Sequence, residues 1–170
     1  MESIWLYISV LLIIVYSICL ILVLFYSLSQ LNLLWNYVQH KKKKEKYPLL
    51  DLTKPESVPF ITIQLPIFNE IYVIERLLKC VNLIEYPREK LEVQVLDDST
   101  DESVELTSGL VKNLKKSGLD IIQIRRQNRI GFKAGALKEG LIHAKGEFIA
   151  IFDADFLPQS NWLLQTVSQF

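Results

Sequence analysis

The 170-residue sequence predicts an α/β domain on a mostly parallel sheet, preceded by one N-terminal transmembrane helix. Three observations carry this expectation. The stretch from Ile4 to Leu28 is apolar except for Ser9, Ser17 and Ser27, and no acidic or basic residue lies between Glu2 and Lys41. From Phe60 onward, short apolar runs alternate with longer segments of helical periodicity, the pattern of a parallel sheet covered by helices. Polar clusters follow each apolar run, and in an open parallel sheet ligands bind outside the carboxyl ends of the strands.

A helix over Ile4–Leu28 is about 37 Å long at 1.5 Å per residue, enough to cross a hydrocarbon core of about 30 Å with some tilt. A cleaved signal peptide fits poorly: there is no basic start, the apolar region is long, and no small-residue cleavage site follows. Trp5, Tyr7, Trp35 and Tyr37 fall where aromatic rings favour the membrane interfaces. The run "KKKKEK" (Lys41–Lys46) puts five lysines directly after the span, which predicts that this side is cytoplasmic. The same lysines are able to meet anionic lipid headgroups, and the sequence does not separate the two roles. Residues 41–58 read as a basic, proline-containing linker after a helix and its extension over 1–40. The soluble part then occupies 59–170.

The balance of charge, 19 basic against 19 acidic residues, argues against a nucleic-acid partner. Cys19 and Cys80 have no partner at disulfide or metal-ligand spacing and read as small apolar fillers.

Within the soluble part, "FITIQL" (60–65) is the first strand, ended by Pro66. "NEIYVIERLLKCVNLI" places Ile71, Ile74, Leu77, Leu78 and Val81 on one helical stripe. Asn69 is its N-cap by residue type. "LEVQVLD" (91–97) is the second strand. Ser103–Lys116 is a helix with Val104, Leu110, Val111 and Leu114 inward. "LDIIQI" (119–124) is the third strand. In Ala134–Ala144, Ala134, Leu137, Leu141 and Ala144 share a face. "EFIAIF" (147–152) is the fourth strand and reads as buried.

The fourth strand ends in Asp153 and Asp155, which extended backbone would point the same way. Two adjacent carboxylates repel unless a cation lies between them. All-oxygen ligands of this kind suit Mg²⁺ or Mn²⁺ shared with substrate phosphates. The plainer alternative is a solvated acidic turn. Asp97, at the end of the second strand, faces the rim and is able to accept hydrogen bonds from a nucleobase or ribose. Ser99 with Glu102 fits a capping box, so Asp98, Asp101 and Glu102 read mainly as caps. Glu70 reads equally as first-turn charge or ligand contact.

In "RRQNRIGFKAGAL" (125–137), Arg129 and Lys133 flank a helix start that holds Gly131 and Gly135. Free N–H groups and basic side chains there favour phosphate. A solvated basic face accounts for Lys138 and Lys145 equally well, and His143 reads as an ordinary helix residue. One ligand fits the set: a nucleoside diphosphate with its divalent cation. The first strand has no G-x-G-x-x-G exit and the chain has no G-x-x-x-x-G-K-[ST], which argues against a dinucleotide cofactor and a P-loop.

"QLPIFNE", "QVLDDSTD", "NRIGFKAGALKEGL" and "FIAIFDADFLP" stand in the order and spacing of family 2 glycosyltransferases. They resemble most the processive β-glycan synthases, the cellulose-synthase-like and mannan-synthase-like branch, over residues 58–170. The resemblance implies a GT-A fold and inverting transfer of a sugar from a UDP- or GDP-sugar to an acceptor hydroxyl, with Mg²⁺ or Mn²⁺. It assigns Asp97 to the base, Lys133 and Asp153 to the diphosphate, Asp153 and Asp155 to the metal, and Pro66 and Glu70 to the nucleoside flank. Arg129 joins the nucleotide-sugar set from its place in the basic loop.

The same resemblance implies an integral protein of an inner, plasma or Golgi-type membrane, a glycan or lipid-linked acceptor, and membrane lipids as neighbours. The family's general base and its Q-x-x-R-W acceptor motif have no counterpart before Phe170. The expectation is therefore the donor half of a site in a truncated GT-A domain, inactive alone, with its catalytic base beyond Phe170. Transfer to a polyprenyl phosphate and a non-catalytic nucleotide-sugar-binding membrane protein are the alternatives left open.

Overall fold

The computed structural model describes residues 2–41, 50, 52 and 58–170. The lysine-rich run after Lys41 and most of the proline-containing linker lie outside the described residues. The chain divides into two units between Lys46 and Tyr47.

The first unit is a single helix, α1 (Glu2–Lys41). It is long and apolar enough to cross a membrane. Ser9, Ser17 and Ser27 each donate a hydrogen bond of 2.8–2.9 Å to the carbonyl four residues earlier. This internal bonding lets a hydroxyl sit in an apolar helix without an unsatisfied donor. Cys19 is exposed on this helix.

The second unit is a four-stranded, fully parallel sheet. Its strands are β1 (Ile61–Ile67), β2 (Leu91–Asp97), β3 (Asp120–Ile124) and β4 (Phe148–Ile151), in the order β3-β2-β1-β4. Between them lie α2 (Ile74–Asn82), α3 (Ser103–Lys116) and α4 (Phe132–His143), and α5 (Trp162–Val167) follows β4.

The two faces of the sheet differ because β1 and β2 alternate in sequence. Ile61, Ile63, Leu65 and Ile67 of β1, with Leu91, Val93 and Val95 of β2, join Ile74, Leu77, Leu78 and Val81 of α2 in one apolar core. Each fully buried aliphatic side chain there contributes about 2 kcal/mol. On the other face Thr62, Gln64, Glu92 and Gln94 are buried polar residues. Thr62 donates to Glu92 (2.8 Å), and Gln64 donates to Gln94 (3.0 Å). The Lys145 N–H donates to the same Glu92 oxygen (3.1 Å). α4 approaches this face through Gly140, where a Cβ would stand 2.5 Å from Gln64 Nε2 and 2.9 Å from Leu96 Cδ2.

Several local expectations change. β1 does not stop at Pro66 but continues to Ile67. Ile67 O accepts from the Asp98 N–H, whereas Gln64 O accepts from Phe152, so the backbone of alternate residues faces β2 and β4 in turn. Pro66 shares the β4-facing phase of Gln64 and lies beyond the last β1–β4 pair, so its missing N–H breaks no ladder bond. α2 starts only at Ile74, with Val73 at its N-cap, so Asn69 does not cap it.

The buried positions of α3 are Ser103, Thr107 and Val111, with Leu106, Leu110 and Leu114 half-buried beside them; Val104 sits at the margin. The buried positions of α4 are Ala136 and Gly140, not the Ala134–Leu137–Leu141–Ala144 face. Small residues win there because the helix lies close against a polar sheet face, which leaves Leu141 and Ile142 exposed. β4 is an edge strand, with Phe148 and Ile151 partly exposed, rather than a buried one. Val58, read as linker, is buried in the core.

Candidate functional site

The carboxyl ends of β1, β2 and β4 and the start of α4 surround one cavity of about 340 Å³. Pro66, Ile67, Phe68 and Glu70 line it from the first loop. Leu96 and Asp98 line it from the second, Arg129, Lys133 and Ala136 from the basic loop and α4, and Asp153–Asp155 from the last. Six residues singled out from the sequence thus meet there: Pro66, Glu70, Arg129, Lys133, Asp153 and Asp155. They come from segments almost ninety residues apart, brought together because parallel strands deliver every carboxyl end to the same rim.

Asp97 is the exception. It is only 1% exposed and does not line the cavity. The Ser99 N–H donates to its Oδ1 (2.9 Å) and Gln123 Nε2 to its Oδ2 (2.7 Å), so both oxygens are engaged internally. Its place in the last position of β2 puts it on the core phase of the strand. The neighbouring Asp98 has the opposite phase and turns toward the cavity. Asp98, expected as a cap, instead forms a two-pronged ion pair with Arg126, with Arg126 Nε 2.9 Å from Asp98 Oδ1 and Nη2 on Oδ2. The hydrogen bond to Asp98 also holds the Arg126 guanidinium above its already high pKa. The expected capping box is absent: Ser99 Oγ accepts from the Asn69 N–H (2.9 Å), and Asp101 accepts from the Ser103 N–H (3.1 Å) at the start of α3.

Arg126 is a positioning residue that sequence reasoning passed over. Its other donors reach Ile130 O (2.9 Å) and Phe132 O (3.0 Å), so one side chain ties the β2 loop to the loop that begins α4. Its signal was present in "RRQNR", beside Arg129, but nothing in spacing separates a structural arginine from a ligand-facing one. Arg129 faces the cavity, with its guanidinium carbon 3.3 Å above the Phe68 ring centroid and 5.2 Å from that of Phe132. Stacking of this kind holds a guanidinium flat, and its Nε lies 3.9 Å from Asp98 Oδ2.

Backbone conformation is unusual at the same place. Among the described residues, positive φ at a non-glycine position occurs at Asn69 (56°), in the first rim loop, and at Phe132 (47°), the first residue of α4. Asn69 uses it to let Oδ1 accept from the Thr100 N–H (3.0 Å), bonding the first loop to the second. Gly131, at φ 73°, precedes α4, and a Cβ on Gly135 would collide with the Ile130 carbonyl oxygen. Left-handed backbone and tight approach explain these glycines.

Asp153 and Asp155 lie beyond the end of β4 at Ile151. Ala154 and Asp155 form a turn, and the Phe156 N–H donates to Asp153 O (3.0 Å). Both carboxylates are exposed, and Asp153 is paired with Lys133. Among the described residues no group of three or more His, Cys, Asp or Glu side chains is placed to hold a metal. The donor set is therefore two carboxylates, which fits a hard cation that takes its remaining oxygens from phosphates and water rather than an all-protein cage.

An open parallel sheet with charged side chains gathered at the carboxyl ends of its strands defines an α/β domain of the ligand-binding, doubly wound type. The chain belongs to glycosyl transferase family 2, whose family model matches residues 62–170. It is 41% identical over 115 residues to the probable glucomannan 4-β-mannosyltransferase 3 of Arabidopsis thaliana, covering 65% of this chain and 21% of that protein. It is 37% identical over 137 residues to the glucomannan 4-β-mannosyltransferase 7 of the same plant, covering 75% and 25%. These identities fall in the β-glycan synthase branch that the motifs resemble.

Among solved structures it is similar to the mannosyltransferase PcManGT of Pyrobaculum calidifontis in complex with GDP-Man and Mn²⁺. That match has 33% identity and a TM-score of 0.60, over 79% of this chain and 39% of that one. TarS residues 1–349 of S. aureus match at 23% identity and a TM-score of 0.53, over 61% and 30%, and bear on the GT-A fold alone. The chain spans about a fifth to a quarter of the length of the curated relatives it matches.

Proposed function

We propose that this chain carries the donor-binding part of a membrane-anchored inverting glycosyltransferase of polysaccharide synthesis, which takes its sugar from a nucleoside-diphosphate sugar. The single observation that carries the reading is the meeting of Pro66, Glu70, Asp98, Arg129, Lys133, Asp153 and Asp155 around one cavity. The relatives' mannosyltransferase names and the GDP-Man in the similar solved structure favour a GDP-sugar.

In this reading the nucleoside rests against Pro66, Phe68 and Glu70, with Asp98 and Arg129 opposite. Asp97 acts from beneath, holding Ser99 and Gln123 and so the shape of the β2 loop. Lys133 and the free N–H groups at the start of α4 neutralise the diphosphate. Asp153 and Asp155 are the residues that would hold Mg²⁺ or Mn²⁺. Such an ion supplies electrostatic stabilisation of the diphosphate leaving group. Lys133 changes partner from Asp153 to a phosphate oxygen as the ligand enters, which frees Asp153.

The chain organisation proposed with this is a membrane helix and its extension over residues 1–40, a basic linker over 41–58 and a donor-binding domain over 59–170. The linker side is then cytoplasmic, near anionic lipids, and the acceptor is a glycan. Turnover of a GDP-sugar by the full-length protein in membranes tests the reading. Loss of turnover in Asp155→Ala at unchanged protein level supports it; full turnover in that variant refutes it.

A further inference from the structure

We infer that Glu92, at the foot of the sheet and away from the cavity, is a positioning residue for the donor site. It fastens the turn between α4 and β4, the two arms that carry Lys133 and Asp153 to the rim. The inference rests on the donor-site reading above. Thr62, Glu92 and Asp120 stand in register on β1, β2 and β3, so they form one polar row across three neighbouring strands. The turn after α4 is seated on that row. α4 runs from the rim to the foot, about 18 Å for its 12 residues, and β4 runs back to the rim. A shift of the turn is therefore carried along both arms to the cavity.

Three hydrogen bonds build the fastening. The Gly146 N–H donates to Thr62 Oγ1 (2.8 Å), the Thr62 hydroxyl donates to Glu92 Oε2 (2.8 Å), and the Lys145 N–H donates to the same carboxylate oxygen (3.1 Å). Thr62 thus accepts and donates at once, which requires an acceptor beside it on β2. The Lys145 ammonium supplies the counter-charge, 2.8 Å from Asp120 Oδ2 and 3.6 Å from Glu92 Oε1. Gly146 leaves no room for a side chain, because a Cβ there would stand 2.4 Å from the Thr62 nitrogen.

Glu92 is 1% exposed, and its Oε1 makes no hydrogen bond among the described residues. A carboxylate buried in this way adds little to stability over an apolar side chain of the same size. What it holds explains its presence: the backbone on which α4 ends and β4 begins. Glu147 bonds separately to Phe60, from its N–H to Phe60 O (2.8 Å) and from the Phe60 N–H to its Oε1 (3.1 Å). β4 therefore keeps its place on β1 when Glu92 is lost, while the turn that joins it to α4 does not.

Glu92→Met removes the acceptor at similar length, and Glu92→Gln keeps one. Two measurements on the full-length protein in detergent test the inference. Without ligand, amide hydrogen exchange over residues 144–147 should quicken by about tenfold in Glu92→Met and stay within about twofold of the parent in Glu92→Gln. GDP is then titrated with and without Mn²⁺. The metal-dependent part of binding needs both arms in register, whereas metal-free binding needs only the α4 side. Glu92→Met should cut the tightening by Mn²⁺ about tenfold and leave metal-free GDP affinity within about twofold, and Glu92→Gln should restore the tightening. A merely structural role would lower the folded fraction without changing the Mn²⁺ dependence of the folded protein. Thr62→Val, which removes the hydroxyl at constant shape, should show the same loss of tightening if Glu92→Met fails to fold. Unchanged exchange, parent-like tightening in the folded variant, equal loss with and without Mn²⁺, or no rescue by Glu92→Gln overturns the inference. A parent whose GDP binding is absent or indifferent to Mn²⁺ overturns the donor-site reading itself, and that outcome is read from the parent alone.

Discussion

Lys133 and Asp153 form an ion pair across the site, from the first turn of α4 to the loop after β4. Both side chains are more than half exposed. Pairs of this kind contribute at most about 1 kcal/mol to stability. The pair therefore holds the charges in place without holding the fold together. Lys133→Met should leave the unfolding free energy within about 1 kcal/mol of the parent. It should weaken nucleoside-diphosphate binding by about tenfold or more, the loss of one charge-assisted bond. Thermal unfolding and titration of GDP, run on the same preparation, check the two halves of that statement.

Asp98 and Arg126 are the opposite case. Their side chains are 7% and 12% exposed, and Arg126 also holds two backbone carbonyls. Arg126→Ala leaves a nearly buried carboxylate with only the longer contact to Arg129 Nε (3.9 Å) and should cost about 3 kcal/mol. The Asp98→Asn, Arg126→Met double variant should be less destabilised than the Arg126→Ala single variant, because no charge is left alone. Denaturant unfolding of the parent and these two variants checks the order.

The closeness of α4 to the sheet gives a steric prediction. A Cβ on Gly140 would stand 2.5 Å from Gln64 Nε2 and 2.9 Å from Gln94 Oε1, whereas one on Gly109 in α3 meets nothing within 4 Å. Gly140→Ala should therefore destabilise by about 1–3 kcal/mol. Gly109→Ala, which gains helix propensity in open space, should be neutral or stabilising by up to about 1 kcal/mol. Equal effects of the two would mean that α4 does not lie against the Gln64–Gln94 pair.

Tyr86 sets an alkaline limit. It is buried and donates to Pro59 O (2.7 Å), and burial, helped by Glu147, pushes its pKa from 10.0 up to about 12. The folded state thus holds the phenolic proton more tightly than the unfolded chain. Its contribution to stability is complete below pH 10 and is lost as pH rises from about 10 to about 12. Tyr86→Phe should cost about 1 kcal/mol at pH 8 through the lost hydrogen bond. The variant should lack the parent's decline across that window, so the two unfolding curves converge as pH rises.

The elements were legible in the sequence because apolar runs and helical stripes record burial directly. β2, β3 and α3 lie where periodicity puts them. Six of the seven residues expected to touch the donor or its metal line one cavity, since each follows a strand or starts a helix and topology does the rest. What the sequence hid was phase and partner choice. Asp97 and Asp98 differ by one step along a strand end, and only the pleat decides which faces in. Arg126 and Arg129 differ by less than one helical turn in sequence, yet one is locked on Asp98 and the other is stacked on Phe68. α4 looked amphipathic through its leucines, but its closeness to Gln64 and Gln94 selects glycine and alanine instead.

The most direct measurement is calorimetric titration of GDP into the full-length protein with and without Mn²⁺, for the parent and for Asp155→Asn. Shared binding at the strand ends predicts that Mn²⁺ tightens GDP in the parent and that Asp155→Asn abolishes this dependence while leaving weak, metal-independent binding through Arg129 and Lys133. GDP binding that is indifferent to Mn²⁺ in the parent, or an equal Mn²⁺ effect in Asp155→Asn, contradicts a cation-bound diphosphate at this rim.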